Sequence, residues 1–160
     1  MGTLVATGTL TVNAAFLQEI KTVNEELWQL LDRLRYVCSR PIDIADHSRL
    51  FVARLQELRD QLALHFALEE AYGYFEDPLE VRISVAREAE RLRKEHRRLY
   101  SQITQIADRA EMFFEEGNLT MLATSIPGQF ILFDATFQNH EAHENELLMM
   151  ALDQDTGGEE

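Results

Sequence analysis

The chain has 160 residues, and its 28 acidic against 15 basic residues leave a formal net charge of −13, a field that repels nucleic-acid phosphates and anionic membrane surfaces alike. Seven glycines and three prolines are too few for the many turns of a β-sandwich or barrel. The single cysteine, Cys38, excludes an intramolecular disulfide and reads as a small apolar filler in a reducing compartment.

Residues Met1 to Val12 show no helical period and read as a loose arm. They also lack the basic and apolar regions of a secretory signal. No apolar run approaches the ~20 residues of a membrane helix, so the expected location is the cytoplasm. Asn13 suits the N-cap of a first helix over about Ala14–Val37, with an apolar line of Leu17, Ile20, Leu27, Leu31 and Leu34. Ser39-Arg40-Pro41 ends it. A second helix is predicted over Ser48–Phe75, with Phe51, Leu55, Leu58 and Leu62 on its line and a break at Glu76-Asp77-Pro78. The third runs over Leu79–Glu115 through Val85, Ala89, Leu92, Leu99, Ile103, Ile106, Ala110 and Phe113, and stops at Gly117-Asn118. The fourth is predicted to start at a Ser125 cap with Pro127 in its first turn, and to bury Phe130, Phe133, Phe137, Leu147 and Ala151. An acidic tail from Asp153 is expected to be disordered. The predicted fold is all-α: an up-down-up-down four-helix bundle over residues 13–152, between the arm 1–12 and the tail 153–160.

Each apolar line is interrupted by polar residues. Asn24 fills the gap on the first helix. His65, Glu69 and Tyr72 continue the second beyond Leu62. His96 stands between Leu92 and Leu99 on the third, and His140 and Glu144 between Phe137 and Leu147 on the fourth. A buried carboxylate needs a partner, because burial of an unpaired charge costs several kcal/mol or more. One metal centre would satisfy two Glu and three His together, and these donors suit iron, manganese or zinc. His65/Glu69 and His140/Glu144 are each four apart, which places both members of a pair on one helix face. The ferritin-like pattern needs Glu three residues before His, and the residues there are Leu62, Arg93 and Phe137, so that pattern fails.

At these residues the chain resembles the bacterial hemerythrin-like (HHE cation-binding) proteins. The resemblance is carried by His65-Phe66-Ala67-Leu68-Glu69-Glu70, by Glu95-His96-Arg97-Arg98-Leu99-Tyr100 and by the run from His140 to Leu148. The segment Asn24 to Leu31 adds to it, and the likeness spans about Phe16 to Ala151. It implies a four-helix bundle with a non-haem iron site, often di-iron, used in oxygen, redox or iron sensing or handling. By motif, His65, Glu69, His96, His140 and Glu144 are the implied ligands. The chain departs from the family pattern in three places: Asn24 stands where the helix-one His falls, the second helix-three His is absent, and Asn145 occupies the place of the oxygen carriers' fourth-helix carboxylate.

Asn24, Tyr100 and His143 are read as residues beside the ligands, His47 as a helix-entry residue, and Trp28, Tyr72 and Tyr74 as packing. The charge run from Glu88 to Arg98 is read as a solvated face. Expected partners are the metal ion and O2, nitric oxide or a peroxide, with no nucleic acid and no membrane. Two rival readings stand beside a metal-binding module. One is a metal-dependent oxidoreductase acting on those small oxidants. The other is a metal-free helical interaction module whose core histidines are satisfied by glutamates.

Overall fold

A computed structural model of the chain describes residues 4–7, 10–72 and 83–157. Four long helices dominate: α1 (Ala14–Cys38), α2 (Ser48–Tyr72), α3 (Ile83–Glu115) and α4 (Leu119–Gly157). The body of the chain is therefore all-α. A short hairpin precedes it, in which β1 (Leu4–Thr7) pairs antiparallel with β2 (Leu10–Asn13), with Leu4 opposite Asn13 and Thr7 opposite Leu10. This corrects the expectation of an irregular arm: the β-branched Val5, Thr7, Thr11 and Val12 suit a pleated ribbon.

Each helix packs against its neighbour in the chain, and α1 also packs on α4. The apolar lines meet in one core. Leu27, Leu31 and Leu34 come from α1, Leu55, Leu58 and Leu62 from α2, Leu99, Ile103 and Ala110 from α3, and Leu122, Ile126, Phe130, Phe133 and Phe137 from α4. Steps of three and four keep every line on one helix face. Arg35 ties α1 to α4 through two charge-assisted bonds, Nε to Asp134 Oδ2 at 2.7 Å and Nη2 to Oδ1 at 2.8 Å. Between α1 and α2 the chain makes two 3₁₀ turns, Pro41–Asp43 and Ala45–His47, pinned by the fully buried Ile44.

The passage from α3 to α4 follows from two residues. Gly117 takes φ +70°, the left-handed conformation that glycine adopts without a Cβ penalty. The Asn118 N–H then reaches back to Phe113 O at 2.8 Å and that of Gly117 to Phe114 O at 3.1 Å, closing the last turn of α3. Asn118 Oδ1 accepts the N–H of Met121 at 3.2 Å and so caps α4. The predicted start of α4 at Ser125 is thereby corrected to Leu119. Pro127 lies buried inside the helix rather than in its first turn, and Ser125 accepts a hydrogen bond from Gln129 Nε2 at 2.9 Å instead of capping. At the other end α4 continues to Gly157, so the tail expected to be disordered from Asp153 is helical that far. The predicted end of the second helix near Phe75, the start of the third at Leu79, and Tyr74 lie outside the described residues, as does the side chain of Tyr72. Among the described residues, no helix is long and apolar enough to cross a membrane.

Candidate metal centre

Among the described residues, the buried polar or charged side chains are five: His65 and Glu69 on α2, His96 on α3, and His140 and Glu144 on α4, each no more than 5% exposed. They are five of the seven polar residues that interrupt the apolar lines, and the packing of α2, α3 and α4 brings them together. His65 Nε2 lies 2.7 Å from Glu69 Oε1 and 3.1 Å from Glu141 Oε1. His140 Nε2 lies 2.5 Å, and His96 Nε2 3.1 Å, from the same oxygen, Glu144 Oε1. Glu69 Oε1 is 3.9 Å from His96 Nε2, which joins the two halves.

The donors form two sets, one of His96, His140 and Glu144 and the other of His65, Glu69, Glu141 and Glu144. Within each set the ligand atoms all lie within 4.8 Å of one another, and Glu144 belongs to both. In all three histidines it is Nε2 that faces these carboxylates. The opposite nitrogen of His96, Nδ1, is 3.3 Å from Glu70 Oε1, and that of His140 is 3.7 Å from Glu95 Oε1. A carboxylate behind the imidazole is the usual way in which a ligating histidine is oriented and made more basic. The walls are aromatic: Phe66 stacks on His96 at 4.2 Å between centroids, and Phe137 meets His65 edge-on at 6.3 Å.

Electrostatics sets two opposing effects against each other. Burial pulls the His65 imidazole down, but Glu141 and Glu69 outweigh it and lift the group to about 10. Burial lifts Glu69 to about 7 against the influence of His65. Burial also acts to raise Glu144, yet His140, His96 and Glu69 around it hold its carboxyl well below the usual range. For His140 the contact with Glu144 overrides burial and raises the imidazole.

Hydrogen bonding alone does not account for this arrangement. His65 Nε2 hydrogen-bonds Glu141 Oε1 at 3.1 Å and also lies 2.7 Å from Glu69 Oε1, so a single N–H is shared between two carboxylates. Neither ring nitrogen of His140, a residue 2% exposed, makes a hydrogen bond of sound geometry, although Nε2 is 2.5 Å from Glu144 Oε1. Buried nitrogen and oxygen donors gathered within 4.8 Å of one another fit a shared cation. The mixed imidazole and carboxylate set suits iron, manganese or zinc. These side chains could hold one metal ion, or two with Glu144 between them.

The remaining sequence-predicted residues stand apart in role. Tyr100 is 40% exposed, which corrects its reading as a neighbour of the ligands: the buried line runs from His96 through Leu99 to Ile103. Asn24 is half-buried on α1 with its Oδ1 inaccessible and, among the described residues, without a hydrogen-bond partner, and His143 is half-buried with Nδ1 in the same condition. His47 is exposed in the second 3₁₀ turn. Trp28 packs on Phe137 at 6.0 Å between ring centroids. Burial lifts the Cys38 thiol to about 12, so it is unreactive.

Sequence reasoning missed Glu141, Glu70 and Glu95. Glu141 had a legible signal, since it lies four residues beyond the buried Phe137 and so shares its face. Glu70 and Glu95 each adjoin a chosen residue, and spacing alone gives no reason to pick them. Comparison with family models, with curated proteins and with solved structures gives no match. The functional reading therefore rests on the residues and their geometry.

Proposed function

We propose that this chain is a hemerythrin-like non-haem iron-binding protein, an up-down-up-down four-helix bundle that holds two iron ions for oxygen, redox or iron sensing or handling. The observation that carries the reading is the pair of His/Glu donor sets that share Glu144. His96 and His140 would serve one ion, His65 and Glu69 the other, with Glu144 between them. The packing of each helix against its neighbour in the chain, and of α1 on α4, supports the up-down arrangement. Bound iron would supply a redox-active centre with affinity for dioxygen and related small oxidants. The protein's own part is to orient the donors and to exclude water. Glu70 holds the imidazole of His96 from behind through a 3.3 Å hydrogen bond, and Glu95 places a carboxylate 3.7 Å behind that of His140, while Phe66 and Phe137 keep the surroundings apolar.

The test is metal content per chain after expression in iron-supplemented cells, read by elemental analysis beside a visible absorption spectrum. The expected result is about two irons per chain, since one carboxylate joins two donor sets. His65→Ala should lower the content, and Glu144→Gln should lower it further because that carboxylate serves both sets. A chain that takes up no metal on reconstitution would overturn the reading. Full iron retention in His65→Ala would overturn the assigned ligands.

A further inference from the structure

The His65 position differs from its neighbour in its donors. The His96 set has two imidazoles and one carboxylate, whereas the His65 set has one imidazole and three carboxylates. The third carboxylate is Glu141, 12% exposed, with Oε1 3.1 Å from His65 Nε2. On α1, Asn24 is half-buried with its Oδ1 inaccessible. Trp28, one turn further along α1, packs on Phe137, and Phe137 in turn lies against His65 and one turn before Glu141. His65 Nε2 hydrogen-bonds Glu141 Oε1 at 3.1 Å, yet Glu69 Oε1 lies closer still at 2.7 Å, so one ring nitrogen faces two carboxylates, and with Glu144 the four donor atoms lie within 4.8 Å of one another.

We propose that Glu141 is itself a metal ligand, completing an oxygen-rich cation position with His65, Glu69 and Glu144. That position favours hard, oxygen-preferring cations more than the His96/His140 position does. This rests on the metal-binding reading above and adds to it a ligand and a difference in selectivity. Carboxylate oxygens suit manganese(II) and iron, whereas imidazole nitrogens shift preference toward zinc. Zinc binds more tightly than manganese at most sites of either kind, so the discriminating quantity is the ratio of the two affinities at each position.

The experiment titrates metal-free protein with manganese(II) alone and with zinc(II) alone, and follows free manganese by electron paramagnetic resonance and bound metal by elemental analysis after desalting. Wild type is compared with Glu141→Gln and Glu141→His, with helical content checked by circular dichroism. Wild type should bind two cations with unequal manganese-to-zinc ratios. Glu141→Gln should weaken one position at least about tenfold, the low end of what losing a supporting partner costs, and leave the other intact. Glu141→His should restore two-cation binding with the ratio shifted toward zinc. Should Glu141→Gln bind both cations as wild type does, or Glu141→His leave the ratio unmoved, the proposal is overturned while the metal-binding function stands. Wild type that binds neither cation would overturn both.

Discussion

Stripped of cations, the buried residues of the centre have only protons with which to offset their carboxylates, and each contributes to stability with its own sign. His65, lifted from 6.5 to about 10, stabilises the fold fully below its unfolded value, and that contribution fades as pH rises through about 10. Glu69, lifted from 4.5 to about 7, acts in the same sense: its buried carboxyl favours the protonated form, and stability falls as pH rises from 4.5 to about 7. Glu144, held low, works the other way, stabilising above its unfolded value near 4.5 and failing only in acid. Metal-free protein should therefore melt highest near pH 4.5 and progressively lower toward pH 10. In the presence of saturating manganese(II) the alkaline decline should disappear, because a cation binds the deprotonated donors. Thermal melts across pH, with and without chelator, give the comparison, and identical pH profiles would contradict a cation at these residues. The convergence of the five buried residues was legible in the sequence because each interrupts an apolar line at a step of three or four. Glu70 and Glu95 were not, because a residue next to a ligand is turned about 100° around the helix, and only the neighbouring helix decides whether that direction meets an imidazole.

Among the elements, α4 shows where local rules and tertiary packing disagree. A proline in a helix interior removes one hydrogen bond and costs roughly 3 kcal/mol, which is why Pro127 suggested a helix start. Yet Leu122, Ile126, Phe130, Phe133 and Phe137 are all fully buried, in steps of four, four, three and four, and this line begins before the proline. Burial of large side chains, each worth about 1.5–3 kcal/mol, outweighs the lost bond. The bounds of α1 and the start of α2 were legible because Pro41 and Ser48 mark real ends. The hairpin was not, since its two strands are four residues each, too short for a clear alternation. The true start of α4 depends on the Asn118 side chain that accepts the Met121 N–H. Asn118→Ala should cost about 1 kcal/mol, a fall in melting temperature of roughly 2–4 °C for a chain of this size. Ser125→Ala, at the expected but mistaken cap, should shift it much less. Comparing the two by calorimetry separates a cap from a mid-helix serine.

At the scale of the whole molecule, the donors come from α2, α3 and α4, while α1 is held by the packing of Leu27, Leu31 and Leu34 and by the Arg35–Asp134 pair. A bound cation would act as a rivet through three helices and leave the fourth fastened only by contacts that exist with or without it. Amide hydrogen exchange would then divide along that line. Metal loading should slow exchange in the cores of α2, α3 and α4 by the factor that the binding free energy dictates, and change α1 far less, because α1 can peel away without breaking a metal bond. Equal slowing in all four helices would mean that the chain opens as one unit. If the protection is unequal, α1 is a panel that swings on its own clock, and the interior would admit small molecules at a rate indifferent to how tightly the metal is held.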